Sequence, residues 1–352
     1  MRKFFAYEFK KRMWTMIILT LICAVPYVVT TFVMDSTYEA YDYRLQMNVD
    51  HPMTPMTWMV WVELLIMCFV VPVLTFSFKM RKRTLDCYYA LPIKKEKLFL
   101  VKTLIGLCTV FIPFTAAYFS GFFIVLLRLD GVYHLGWYFV QYLGLLFFGV
   151  CLFGFNSFTF TRANHPADGV VFMLAYTFVA FLVLLVFEVI GFAKWEHIEK
   201  MLYFISPAGS AHFMVNTEAL IMYGAQDMVN NPSYTWNGWM FAIPAVYGVI
   251  GYTLLFTTLR FEKAENAEQN SDSWFGYRVL IPIYVACVLA FVGLVDSILW
   301  WVPLYFMIAS VSVVLTVIYR RSFRIKGWYW LMLGIGHGVG IMLSFIMHLS
   351  VY

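Results

Sequence analysis

Residues 57–83 read TWMVWVELLIMCFVVPVLTFSFKMRKR. From Thr57 to Phe78 the run holds one charged side chain, Glu63, and four of the next five residues are basic: Lys79, Arg81, Lys82 and Arg83. A helix needs about 20 apolar residues to cross roughly 30 Å of hydrocarbon. The run therefore predicts a membrane span, and the basic flank marks the end retained inside.

Working outward, eight more runs of that kind are found, near residues 13–34, 101–127, 135–160, 168–192, 237–261, 275–295, 299–319 and 328–348. Composition agrees with them. Hydrophobic residues make up 62% of the 352, charged residues 13%, and the net charge is only +5. There are too few polar side chains to cover a water-soluble globule of this size. Secreted, disordered and nucleic-acid-binding classes are excluded on the same ground. The six cysteines form no disulfide framework or zinc ligand set: five lie in apolar runs, and Cys87 in a basic loop. The first apolar run is too long for a signal-peptide core and lacks a small-residue cleavage site, so it reads as an uncleaved first span.

Orientation follows from charge. With the N-terminus inside, 21 of the 25 basic residues fall on the inner side, leaving Arg44, Arg128, Lys194 and Lys200 outside. Nine spans then put the C-terminus outside. Trp14, Trp58, Trp61, Trp300, Trp301, Trp328 and Trp330 mark span ends, as an interfacial belt does. Three stretches fall outside the spans: an acidic outer loop at 35–56, a long outer loop at 193–236, and a polar inner linker at 262–273.

Chemistry-bearing patterns are few. No phosphate-cradling Gly-x-x-x-x-Gly-Lys-Ser/Thr loop is present, so an ATP-driven role needs an ATPase on another chain. The seven histidines lack metal-ligand spacing. The glycines at 334, 336, 338 and 340 lie mid-span with two overlapping Gly-x-x-x-Gly spacings, a pattern for close helix packing rather than phosphate binding. Within spans, only Glu63 and Glu188 are acidic. A carboxylate in hydrocarbon either snorkels to the interface or lines a transport path, and both readings stand for these two.

The loop after the quoted span continues Arg83-Thr84-Leu85-Asp86-Cys87-Tyr88-Tyr89-Ala90-Leu91-Pro92-Ile93-Lys94-Lys95. Leu85, Tyr88 and Leu91 share one face of a helix over 84–91, which Pro92 ends. The result is a short amphipathic helix at the inner surface, either an interfacial anchor or a docking helix for a partner's groove.

That loop resembles the one found in ABC-2 type permeases, the membrane subunits of one class of ABC exporter. The likeness rests on Arg83-Thr84-Leu85-Asp86, on Leu91-Pro92-Ile93-Lys94-Lys95, and on Lys102 shortly into the next span. Phe4 to Arg12 resembles the family's N-terminal elbow helix, and Ser206-Pro207 its re-entrant outer hairpin. The resemblance covers roughly residues 1–265. It implies an all-α membrane protein with a six-span ABC-2-like core at 1–265 and a C-terminal extension of about three spans at 266–352.

The resemblance further implies a non-enzymatic permease in the cytoplasmic membrane. It would pair with a second permease copy or a related subunit and dock separate ABC ATP-binding subunits that hold ATP and Mg. No cofactor would sit in this chain, and membrane lipids would be its other partners. The coupling helix would present Arg83, Thr84, Leu85, Asp86, Tyr88, Leu91, Pro92, Lys94 and Lys95. Two other readings stand: an ion-coupled secondary transporter, and a non-transporting sensor or immunity subunit on the same scaffold.

Overall fold

The computed structural model describes residues 2–33, 37–42, 47–52, 57–128, 134–190, 206–228, 239–259, 267–269, 271, 273, 275–295, 297–320, 322–325 and 327–351. Among these, nine helices are long and apolar enough to cross a membrane. The protein is a multi-pass helical membrane protein. The spans are α1 (Arg2–Val33), α2 (Thr57–Phe76, prolonged by a 3-10 turn Ser77–Met80), α4 (Lys95–Arg128), α5 (Gly136–Thr161) and α6 (Pro166–Val189). They continue with α8 (Trp239–Thr258), α9 (Tyr277–Ala290, prolonged by Phe291–Leu294), α10 (Trp301–Arg320) and α11 (Gly327–Val351). Two shorter or more polar helices complete the set: α3 (Lys82–Tyr89) and α7 (Ser206–Met228).

Three sequence expectations change. The chain is not purely helical: β1 (Thr37–Asp42) and β2 (Met47–Pro52) form an antiparallel hairpin in the acidic loop, in a register pairing Thr37 with Pro52 and Asp42 with Met47. The elbow at 4–12 is not a separate element, because α1 runs unbroken from Arg2. No proline or glycine interrupts Phe4 to Cys23, and apolar residues on both sides of Arg12 pack on the same partner: Phe4, Phe5, Phe9 and Met16 all join Val101 and Ile105 of α4. Finally, the long loop at 193–236 contains α7. Its Ser206-Pro207 start is a helix-initiating pair, proline losing nothing in the first turn where its N–H would be unpaired. Residues 191–205 and 229–238 of that loop lie outside the described residues.

The chain divides into two compact units. One comprises Met1–Thr75, Ile93–Phe155 and Ser206–Ile250; the other comprises Phe76–Pro92, Asn156–Ile205 and Gly251–Tyr352.

In the first unit, α1 lies along α4. Glu8 and Lys102 are joined there by a 2.7 Å ion pair, and further along the fully buried Tyr27 ring covers Gly121. Another part of its core sets Phe148 of α5 against Phe213 of α7, with Met240 of α8. In the second unit, Val186 and Ile190 pack with Cys287 and Ala290 of α9 and Met347 of α11.

Candidate functional site

The loop after α2 folds largely as its periodicity predicts, with a helix over 82–89 and a bend through Leu91, Pro92 and Ile93 before α4 begins at Lys95. Its faces are arranged differently. Leu85 is 2% exposed, and Tyr88 packs its ring on Phe78 with centroids 4.8 Å apart. The residues turned outward are Arg83, Asp86, Cys87 and Ala90, followed by Leu91, Pro92, Lys94 and Lys95. The spacing 83, 86, 87, 90 is one helical stripe. The physical reason is burial: an eight-residue helix beside its own span gains most by placing Leu85 and Tyr88 inward. A partner would therefore meet a charged stripe ending in Leu91, instead of a face built on Leu85 and Tyr88.

Side chains tie α3 to two other loops of its unit. Thr84 Oγ1 donates to the carbonyls of Phe78 (2.8 Å) and Arg81 (2.9 Å), and Lys79 Nζ donates to the Thr161 carbonyl at the end of α5. At the helix N-terminus, Lys82 N–H donates to Glu268 Oε1 at 3.2 Å. A carboxylate there satisfies an orphan N–H and complements the helix dipole. Glu268 has φ 65°, a left-handed conformation that costs a non-glycine residue about 1 kcal/mol or more. Its own N–H donates to the Asn164 carbonyl at 3.1 Å.

From Asn164 the chain of bonds goes on. The Asn164 N–H donates to Ser271 Oγ at 2.9 Å, which donates to Asp168 Oδ2 at 2.6 Å. Asp168 Oδ1 accepts from Tyr277 OH at 3.0 Å, and the Ser271 carbonyl accepts from Tyr319 OH at 2.9 Å. The loop before α6, the linker before α9 and the last turn of α10 are thus joined to the start of α3.

Neither span carboxylate takes part in these bonds among the described residues. Glu63 is half-buried in α2, the Cys23 thiol against it, and its Oε2 is enclosed with no hydrogen-bond partner. Glu188 lies in the last turn of α6, and its side chain is outside the described residues. The structure adds a carboxylate that sequence reading passed over, Glu218 of α7. It accepts from Thr57 Oγ1, and Thr57 Oγ1 in turn accepts from Gln141 Nε2 at 3.3 Å. Gln141 Oε1 is 2.8 Å from Tyr118 OH, and Trp61 Nε1 donates to Ser210 Oγ at 3.1 Å. The signal was available: α7 carries Thr217-Glu218 on the face that buries Phe213, Met214, Leu220 and Ile221.

α7 is not among the candidate spans. Burial pushes the Glu218 carboxyl from an ordinary 4.5 up to about 7, with the Thr57 hydroxyl and the Trp58 backbone acting the other way. The folded state then binds more protons than the unfolded one between those values. Stability falls as pH rises from about 4.5 to about 7 and stays lower above that. Glu218→Gln is expected to flatten this dependence and to stabilise the protein at pH 8 by about 2–3 kcal/mol. Thermal unfolding of both forms from pH 5 to pH 8 measures it; parallel curves would count against the assignment.

The chain was compared with protein-family models, curated proteins and solved structures, and none of the three comparisons gave a match.

Proposed function

We propose that this protein is the permease subunit of an ATP-driven ABC-2 type exporter, paired with a second permease copy or a related subunit and served by separate ATP-binding subunits. The observation that carries the reading is α3: a short helix between the second and third spans, with an outward stripe of Arg83, Asp86, Cys87 and Ala90 and an N-terminus bonded to Glu268. In this reading α3 and the N-terminus are cytoplasmic and the protein resides in the cytoplasmic membrane. Closure of the ATPase dimer pushes on the stripe, and the Glu268–Asn164–Ser271 bonds pass the displacement to α6, α9 and α10. ATP is consumed in the partner, and this chain contributes two arrangements with different affinities for cargo. The cargo is an amphiphilic or hydrophobic molecule, a drug, peptide or lipid.

The test is affinity purification of the tagged protein from its native membrane in mild detergent, with co-purifying ATPase measured. A soluble-type ATPase is expected. Asp86→Arg with Leu91→Asp is expected to lower its recovery at least about ten-fold, the equivalent of ~1.4 kcal/mol, with membrane insertion unchanged. Leu85 is unsuitable for this test, because a charge there would disrupt α3 itself. Recovery of the chain alone from detergent and from native lipid discs would overturn the reading.

A second reading, ion-coupled transport, is favoured by the enclosed Glu63 oxygen and the partly buried Glu218, neither of which has a basic partner among the described residues. Substrate uptake driven by a pH gradient in ATP-free vesicles would support it, and ATP-dependent uptake would exclude it.

A further inference from the structure

The second unit encloses a cavity of about 730 Å³ between α6, α9 and α10. Its volume lies in the range of small-molecule sites, about 300–1,000 Å³. Its two ends differ in chemistry. One end is polar, with His165, Asp168, Gln269, Tyr277 and Tyr319; the remainder is walled by apolar residues such as Val171, Leu174, Phe178, Leu315 and Ile318. These five apolar residues are 43–65% exposed on helices of membrane-spanning length and composition. The apolar part of the cavity therefore opens sideways towards hydrocarbon.

The polar end is built for a cation. Among the described residues, Asp168 is the lining's one acidic side chain, and neither lysine nor arginine lines the cavity. Nearby arginines are engaged elsewhere: the Arg278 and Arg320 guanidinium groups lie 5.3 and 4.4 Å from the Tyr329 ring centroid. Asp168 is held in place by the Ser271 and Tyr277 hydroxyls, which leaves carboxylate lone pairs for a further donor. His165 Nδ1 accepts the Ala167 N–H at 3.3 Å.

The three lining tyrosines have already spent their hydroxyl protons, on Asp168, the Ala175 carbonyl and the Ser271 carbonyl. What they present to the cavity is phenol oxygen and aromatic ring, the Tyr277 and Tyr319 rings standing with centroids 4.5 Å apart. Carboxylate, phenol oxygens and aromatic faces all attract a positive head group, an ammonium above all.

We propose that this cavity binds one amphiphile bearing an ammonium head group, the head against Asp168 and the tail along Leu174, Phe178 and Ile318. The site does not depend on how transport is energised. Two sources share this chemistry, a membrane lipid with an amine-bearing head and a free cationic amphiphile, and the experiment separates them.

The full-length protein is placed in phosphatidylglycerol nanodiscs, which carry no ammonium group, and binding of radiolabelled dodecyltrimethylammonium is measured. Saturable binding of one probe per chain is expected, with dodecyl sulfate failing to displace it. Asp168→Asn is expected to weaken binding about ten-fold or more, while Asp168→Glu keeps the charge and most of the affinity. Leu174→Trp fills the apolar part from a partly exposed position and is expected to abolish saturable binding without touching Asp168. It keeps the test decisive if Asp168→Asn does not fold, which its unfolding midpoint without probe reports.

Phosphatidylethanolamine added to the discs identifies the source. Competition assigns the site to lipid, and its absence assigns it to a free amphiphile. Non-saturable binding, equal displacement by dodecyl sulfate, or affinity unchanged in Leu174→Trp and in a folded Asp168→Asn would overturn the proposal.

Discussion

Replacing Glu8 by leucine is expected to cost about 3–5 kcal/mol and to leave little folded protein, because it removes the carboxylate paired with the buried Lys102 ammonium in the α1–α4 seam. The two side chains are 1% and 3% exposed and their charged atoms are 2.7 Å apart. Lys102→Met should do the same in reverse, removing the ammonium paired with the buried Glu8 carboxylate. The pair itself is a different matter. Desolvating two charges takes back most of what their attraction supplies, so Glu8→Leu together with Lys102→Met is expected to recover most of the stability lost in either single variant. Unfolding of the wild type, both single variants and the double variant in one lipid composition gives the coupling energy. Single variants that lose less than about 1 kcal/mol would show that water reaches the pair. Arg12, one turn further along α1, donates Nη2 to the Leu74 carbonyl at 2.6 Å and is a useful comparison. It is an exposed contact, so its removal should cost far less.

The spans were legible because they rest on length and apolar content, which a single sequence displays fully. The run from Thr57 to Phe78 is realised as Thr57–Met80, and the other eight fall within a few residues of expectation except at the N-terminus. Lys102 was visible as an unusual lysine near a span's start; its partner Glu8 was not, since 94 residues separate them and nothing local announces the pairing. The α3 helix was legible from the period of Leu85, Tyr88 and Leu91 and the stop at Pro92. Which way it turns was not, because its own span competes for the apolar face.

Asp168, Glu268 and Ser271 escaped notice for a related reason. Each is an ordinary polar residue in or beside a loop, and only the bonds among Asn164, Ser271 and Lys82 give it a role. α7 was read as loop because its composition is too polar for a span, although Ser206-Pro207 and the apolar residues at 213, 214, 220 and 221 carried a helical signal. Burial against neighbours, rather than hydropathy, lets that helix form.

The four glycines of α11 separate into two pairs, and the separation predicts a sharp contrast. A Cβ on Gly336 would lie 2.7 Å from the Pro282 carbonyl oxygen and 2.9 Å from its Cα; one on Gly340 would lie 3.0 Å from the Ala286 Cα and 2.6 Å from the Leu289 Cβ. A Cβ on Gly334 or Gly338 would meet nothing within 4 Å. Of the two overlapping Gly-x-x-x-Gly spacings, then, the 336/340 pair forms the seam where α11 approaches α9, and the 334/338 pair does not. Backbone atoms cannot rotate away as a side chain does, so Gly336→Leu must push the two helices apart. The expected cost is about 1–3 kcal/mol or more, spread to the Cys287, Ala290 and Met347 packing next to it. Gly338→Leu adds the same side chain to the same helix two residues away and is expected to change stability by no more than about 0.5 kcal/mol. Paired unfolding measurements, with limited proteolysis of the segment between α10 and α11, distinguish the outcomes. Equal losses in both variants would mean that helix propensity or lipid contact sets the effect, and a loss confined to Gly336→Leu would establish the α9–α11 seam as the reason for glycine.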